Sequence, residues 1–158
     1  MILLDEEARL VIRSEGERAY PNECCGFLIG RFGEAGARVV TEARPVRNSR
    51  EKEERYHRFV IEAEEFMRAE AYARKMGLEL LGFYHSHPDH PAEPSGYDEE
   101  NALPFYSYVI VAVEGGAAKN LTSWELSADR AGFVNEPIGA IPAAFWNANI
   151  INIDKEDI

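Results

Sequence analysis

The stretch Leu78-Glu79-Leu80-Leu81-Gly82-Phe83-Tyr84-His85-Ser86-His87-Pro88-Asp89-His90-Pro91-Ala92-Glu93-Pro94-Ser95-Gly96-Tyr97-Asp98 decides how the chain is read. Its first half is short, apolar and aromatic and follows Gly77, a helix stop, which predicts a buried strand. If that strand runs on through His87, then His85 and His87 share one face, because residues i and i+2 of a strand point the same way. Two imidazoles so placed converge on a single ion at about 2.0 to 2.1 Å from each nitrogen, the zinc distance. Ser86 points to the opposite face.

A catalytic zinc takes three protein ligands and leaves the fourth position to water. Asp98 and His90 are the local candidates for the third. His90 reaches back only through a tight turn between Pro88 and Pro91. Asp98 requires the loop to fold over, which Pro91 and Pro94 favour by fixing φ. Ser95-Gly96-Tyr97-Asp98 also fits a helix start, with Ser95 as N-cap, Asp98 at the third helical position, and Glu99 and Glu100 where the helix dipole favours acid. Capping and metal binding are compatible, since a short helix start holds the carboxylate still.

The His pair, the ten residues from the second His to Asp98, and the Ser three before that Asp follow an H-x-H-x10-D pattern with an S-x-x-D ending. In this the chain resembles the JAMM (MPN-plus) zinc metallopeptidases, and in its short length the bacterial and archaeal members that process sulfur-carrier proteins. Pro21-Asn22-Glu23-Cys24-Cys25-Gly26-Phe27-Leu28-Ile29-Gly30 is similar to the family's first core strand, and the resemblance covers roughly residues 1 to 135. It implies an α/β fold: a single domain with a curved mixed β-sheet flanked by helices, the JAB/MPN fold, similar to cytidine deaminases. It also implies one Zn²⁺ per chain held by His85, His87 and Asp98, with Glu23 as general base and Ser95 as oxyanion donor. Spacing alone does not select Glu23 from 28 acidic residues.

The implied reaction is hydrolysis of a peptide or isopeptide bond at the C-terminus of a ubiquitin-like or sulfur-carrier protein ending in Gly-Gly. Zinc brings the pKa of its water toward about 7, Glu23 relays the proton to the departing amine, and an oxyanion donor contributes ~3 kcal/mol. Lys-linked isopeptidase activity is the alternative enzyme reading, although the chain shows no insertions of the kind that ubiquitin-chain-cleaving relatives carry. A metal-free MPN interaction module would lack the ligands that this chain has. A base deaminase would need a P-C-x-x-C motif, which does not occur.

Among the remaining histidines, His90 reads as a residue near the metal or at the surface. His57, in the alternating Tyr56-His57-Arg58-Phe59-Val60, reads as structural or as the rim of the site. The 158 residues form one domain that buries about 68 to 70% of its unfolded surface without staples. The expected division is 1–140 for the enzyme domain and 141–158 for a docked or flexible C-terminal segment. Cys24 and Cys25 are adjacent and read as small buried strand residues. No stretch approaches eighteen apolar residues, and the first residues lack the pattern of a signal peptide, so a cytoplasmic location is expected with no membrane partner. The net charge of −11 argues against binding a phosphate backbone, and nucleic acid is not an expected partner.

Elsewhere, Leu4, Ala8, Val11 and Ile12 predict an amphipathic helix to about Tyr20. Cys24 to Ile29 reads as a strand that turns through Gly30, Gly33 and Gly36 into a second at Arg38 to Arg44, followed by a polar loop from Pro45 to Arg55. Ala63, Phe66, Met67 and Ala71 form one helical stripe and Ala69, Tyr72, Ala73 and Met76 another, which predicts a broadly buried helix. Tyr106 to Val113, Leu121 to Leu126 and Gly132 to Ile138 read as further strands, the first two joined by a Gly115-Gly116 turn.

Overall fold

The apolar run before the His pair forms the middle of the molecule. In the computed structural model, which describes residues 1–50, 55 and 58–150, strand β4 (Glu79–Pro88) lies between β2 (Cys25–Phe32) and β5 (Ser107–Glu114). It runs antiparallel to β2 and parallel to β5. Every residue from Leu81 to Pro88 is buried, as a strand covered on both faces requires.

The sheet has eight strands in the order β7-β6-β5-β4-β2-β3-β1-β8. The others are β1 (Ile2–Leu4), β3 (Arg38–Val46), β6 (Ala117–Leu126), β7 (Phe133–Glu136) and β8 (Ile138–Ala140). The outermost strands, β7 and β8, are joined through Pro137, whose carbonyl accepts from Ile2 N–H at 3.0 Å. The sheet therefore curves until its two edges are linked by one short segment. Inside that curve Glu136, 3% exposed, accepts from the hydroxyls of Ser107 and Ser123 at 2.7 and 2.8 Å and pairs with Arg38 at 3.2 Å. A carboxylate buried so deeply is tolerable because each oxygen has partners.

Helix α1 (Glu6–Ala19) covers one face, with Ala8 and Ile12 packed against Leu28, Tyr84 and Val111. It begins two residues later than the apolar spacing from Leu4 predicts. Asp5 caps it, accepting from Glu7 N–H, and the residues before it form β1, paired with β3 and β8. Leu4 is thus a strand residue, because its backbone finds partners from remote parts of the chain. Helix α2 (Ala63–Lys75) covers the other face, packing Phe66, Ala69 and Ala73 against Phe27, Phe83 and Tyr108. Its expected broad burial is not found: Ala63, Ala71, Met67 and Met76 are exposed. The side that meets the sheet is the stripe of Phe66, Ala69, Tyr72 and Ala73, in which the two alanines allow close approach.

The predicted turn at Gly115-Gly116 joins β5 to β6, with both residues at positive φ. The short helix α3 (Gly96–Asn101) follows the loop after β4, and α4 (Ala143–Ile150) lies in the C-terminal segment. The 51–54, 56–57 and 151–158 stretches, and with them the reading of His57, fall outside the described residues.

A very close backbone approach in the sheet is at Gly82, opposite Ser107. A Cβ added there would lie 2.0 Å from the Ser107 carbonyl oxygen. Gly82→Ala should force β4 and β5 apart and lower stability by about 2 to 3 kcal/mol, a fall in Tm of about 6 to 10 °C by calorimetry.

Candidate metal centre

Phe83, His85 and His87 project from the face of β4 away from α1, while Ser86 projects toward it, its Cβ near Gly16. The strand ends at Pro88, which has no N–H to extend the ladder. Asp89, at φ 54°, then turns the chain out, its carboxylate accepting from Gly115 N–H and the Tyr20 hydroxyl, both at 2.8 Å. The loop returns to the sheet at Ser95, which caps α3 in a reciprocal box with Asp98. Asp98 Oδ2 accepts from Ser95 N–H and from the Ser95 hydroxyl, both at 2.7 Å.

This path brings His85, His87 and Asp98 together, all buried. The two Nε2 atoms are 3.1 Å apart, Asp98 Oδ1 is 3.2 Å from His85 Nε2, and Oδ2 is 3.4 Å from His87 Nε2. His87 Nδ1 lies 2.8 Å from the Pro91 carbonyl, which can only accept, so Nδ1 carries the proton and the neutral ring turns an Nε2 lone pair to the cluster. Phe59 stacks on His85, with ring centroids 4.6 Å apart. His90 is exposed and stands outside this group.

The donor set fits zinc. Two imidazoles and a carboxylate are among its usual ligands, and tetrahedral bonds of 2.0 to 2.1 Å put ligand pairs about 3.3 Å apart, close to the three separations found. Lone pairs and a carboxylate held this closely also need positive charge between them. The second ring nitrogen of His87 has the carbonyl partner that metal-binding histidines usually show.

Glu23 arrives by strand pairing. Cys25 stands opposite His85 in the β2–β4 ladder, and the adjoining pair is locked from both sides. Cys24 N–H donates to Ser86 Oγ at 2.8 Å, and Ser86 N–H donates to the Cys24 carbonyl at 3.2 Å. Glu23, 7% exposed, lines a cavity of about 360 Å³ together with His87 and Ser95, and its carboxylate has no hydrogen bond among the described residues. Two positioning residues escaped the sequence reading. Ser86 is one. Asn48 is the other: its amide donates to the carbonyls of Glu23 (3.2 Å) and Arg58 (3.0 Å), and its oxygen accepts from Arg50 and Val60 N–H. A serine between two strand histidines signals a buried hydroxyl in need of a partner. Nothing local marks Asn48.

The carboxyls diverge in acidity. Burial pushes Asp98 up, but the His85 imidazole and the hydrogen bonds from His85 and Ser95 outweigh it and hold the group well below the usual carboxylate range. Burial also dominates at Glu23, with His87 opposing and Asp98 adding to it, and its pKa rises to about 8. Burial lowers His85 despite Asp98. His87 is raised: burial depresses it, but Asp98 and the Pro91 carbonyl prevail.

A curved mixed sheet between helices carries a His-x-His strand end and a capped aspartate that converge on one point and could together hold a metal ion. The chain belongs to the prokaryotic homologs of the JAB domain, whose family model matches residues 5–127. It is 37% identical over 97 residues to a desampylase of Haloferax volcanii, over 60% of this chain and 66% of that protein, so the match spans just under two thirds of that relative's length. A solution structure of a Desulfitobacterium hafniense protein superimposes with a TM-score of 0.77 at 30% identity, covering 89% of this chain and 93% of that one. A JAB1/MPN domain protein from Archaeoglobus fulgidus shares the fold at TM-score 0.57 and 17% identity, covering 89% and 99%. Among the described residues, no helix is long and apolar enough to cross a membrane.

Glu23 gives a pH test on the metal-free protein. Its folded pKa of about 8 lies above the ordinary 4.5, so between these values the native state holds a proton that the unfolded state releases. Stability therefore falls as pH rises through this window. Glu23→Gln removes that loss. The chelated variant should melt a few degrees above wild type at pH 8, with the difference vanishing near pH 4.5.

Proposed function

We propose that this protein is a zinc-dependent metallopeptidase that hydrolyses the peptide or isopeptide bond following the C-terminal Gly-Gly of a ubiquitin-like or sulfur-carrier protein. The observation that carries this reading is the close packing of His85, His87 and Asp98 beside a cavity lined by the Glu23 carboxylate, which has no hydrogen bond among the described residues. Membership of the JAB family and the likeness to a desampylase support the substrate class. Zinc, when bound, supplies Lewis acidity and acidifies a coordinated water.

The chain's own groups have separate tasks. His85, His87 and Asp98 present three ligands, oriented by Phe59, the Pro91 carbonyl and the Ser95 cap. Glu23 takes a proton from the attacking water and delivers it to the departing amine, a role suited to a carboxyl whose pKa stands near neutrality. Ser95 N–H keeps Asp98 in place, which leaves the Ser95 hydroxyl able to turn and donate to the developing oxyanion. The 1–140 stretch comprises the enzyme domain in this reading, and 141–158 is an appended segment.

The purified protein should contain about one zinc per chain by mass spectrometry, and His87→Ala should lose it. With a Gly-Gly-ending ubiquitin-like protein extended by one amino acid or joined to a lysine, Glu23→Gln should keep the metal and lower kcat by at least 10²-fold. A native protein with no affinity for zinc sinks the proposal, and equal cleavage by Glu23→Gln removes that residue from its role.

A further inference from the structure

Two cavities meet the metal cluster through different residues, and they differ in chemistry. One, of about 240 Å³, touches Asp98 and is walled by Phe59, Ile61, Phe66, Phe83 and Tyr108. The other is the 360 Å³ cavity that touches Glu23, His87 and Ser95. The second shares its His90, Pro91 and Glu93 wall with an adjoining space of about 430 Å³ bounded by Asp89, Glu114 and Trp124. No lysine or arginine lines either part of this cleft among the described residues. Glu93 and Glu114 are exposed and have no ion-pair partner among them. Asp89 is pinned by Tyr20 and Gly115, so its charge is fixed at the wall.

Glu23 tells which product uses this cleft. It is more than nine-tenths buried, makes no side-chain hydrogen bond among the described residues, and faces this space rather than the apolar one. In the hydrolysis the C–N bond breaks, the carbonyl carbon gains the water's hydroxyl, and the water's proton travels through Glu23 to the nitrogen. The nitrogen must therefore lie on the Glu23 side. The acyl segment is left to the side of the apolar cavity.

Resting on the peptidase reading, we infer that the two adjoining spaces lined by Glu23, Glu93 and Glu114 select the leaving group by charge, favouring a lysine carried in a Lys/Arg-rich stretch of the acceptor protein. Glu93 and Glu114 are the specificity-determining residues. Each is exposed, so its effect is modest and sensitive to salt.

The test joins one Gly-Gly-ending ubiquitin-like protein to the lysine of two acceptor peptides, one flanked by arginines and one by glutamates. The zinc-loaded wild type should show a kcat/KM ratio of about fivefold or more for the basic acceptor at low salt, shrinking in 0.5 M salt, as two or three exposed charge pairs provide. The Glu93→Gln/Glu114→Gln double variant should bring the ratio close to one, and Glu93→Lys/Glu114→Lys should invert it. Glu6→Gln/Glu7→Gln, the same charge change on α1, should leave the ratio intact. A wild-type ratio near one, a ratio unmoved by the cleft variants, or an equal loss with the α1 variant overturns the inference while leaving the peptidase reading standing. Cleavage of neither substrate overturns both. Thermal melts and zinc content of each variant separate misfolding from lost selectivity.

Discussion

Everything at the metal centre depends on the register between β2 and β4. Side chains alternate across a strand, so a slip of one residue exchanges the faces. It would place Tyr84 and Ser86 where His85 and His87 stand and bury the imidazoles against α1. The register is held by more than ladder bonds. Ser86 exchanges hydrogen bonds with Cys24 through its hydroxyl and its N–H, which ties the histidine strand to the residue after Glu23. A hydroxyl buried at 0% exposure needs such a partner, and any other register would deny it one. Gly82 adds a steric pin, since only glycine permits the approach of the Ser107 carbonyl. The spacing between the His85/His87 pair and Glu23 is thus a property of strand pairing.

Asp98 is fixed by a different device. A helix of six residues has little stability of its own, yet its N-terminal box supplies two short hydrogen bonds to one carboxylate oxygen. The same carboxylate faces both imidazoles. Capping and ligation reinforce one another, because the helix start immobilises the ligand and an ion bound there would hold the helix start. The loop that joins this box to β4 is stiffened by Pro91 and Pro94 and anchored at its origin by Asp89, so the third ligand returns to the strand end through a short, well-determined path.

Legibility in the sequence followed locality. His85 and His87 were readable because a period of two is a property of any strand, and Asp98 because its cap lies three residues away. The sequence pattern left His90 open as a ligand. Its exposure outside the cluster follows from the turn at Asp89, whose left-handed backbone no pattern of prolines announces. β1 was invisible, since three residues become a strand only when β3 and β8 arrive from 36 and 136 positions away. The breadth of burial on α2 was overread, because methionines at helical spacing do not reveal how much of a helix a curved sheet can touch. Glu23 is the instructive case. Nothing near it marks it among 28 acidic residues, and only the resemblance singled it out; the fold then brings it to the cleft that His87 and Ser95 line. Asn48, which holds the Glu23 carbonyl from a loop 25 residues on, left no trace at all.

The two carboxyls of the site show how one small cavity supports two chemical roles. Both are buried, and burial alone would raise both. Asp98 receives donors from the Ser95 backbone and hydroxyl and faces two imidazoles, so it stays ionised, as a ligand must. Glu23 receives no hydrogen bond on its side chain from the described residues, so burial prevails and its pKa rises to about 8. Environments that drive paired acids apart in this way are how a fold separates a permanently charged group from one that exchanges protons. The difference arises from hydrogen-bond supply. Ser95 faces both groups across the same cleft and donates to only one of them, and that choice is set by its place as the cap of α3. The short helix, by claiming Ser95 for Asp98, leaves Glu23 without that donor and its acidity weakened by burial.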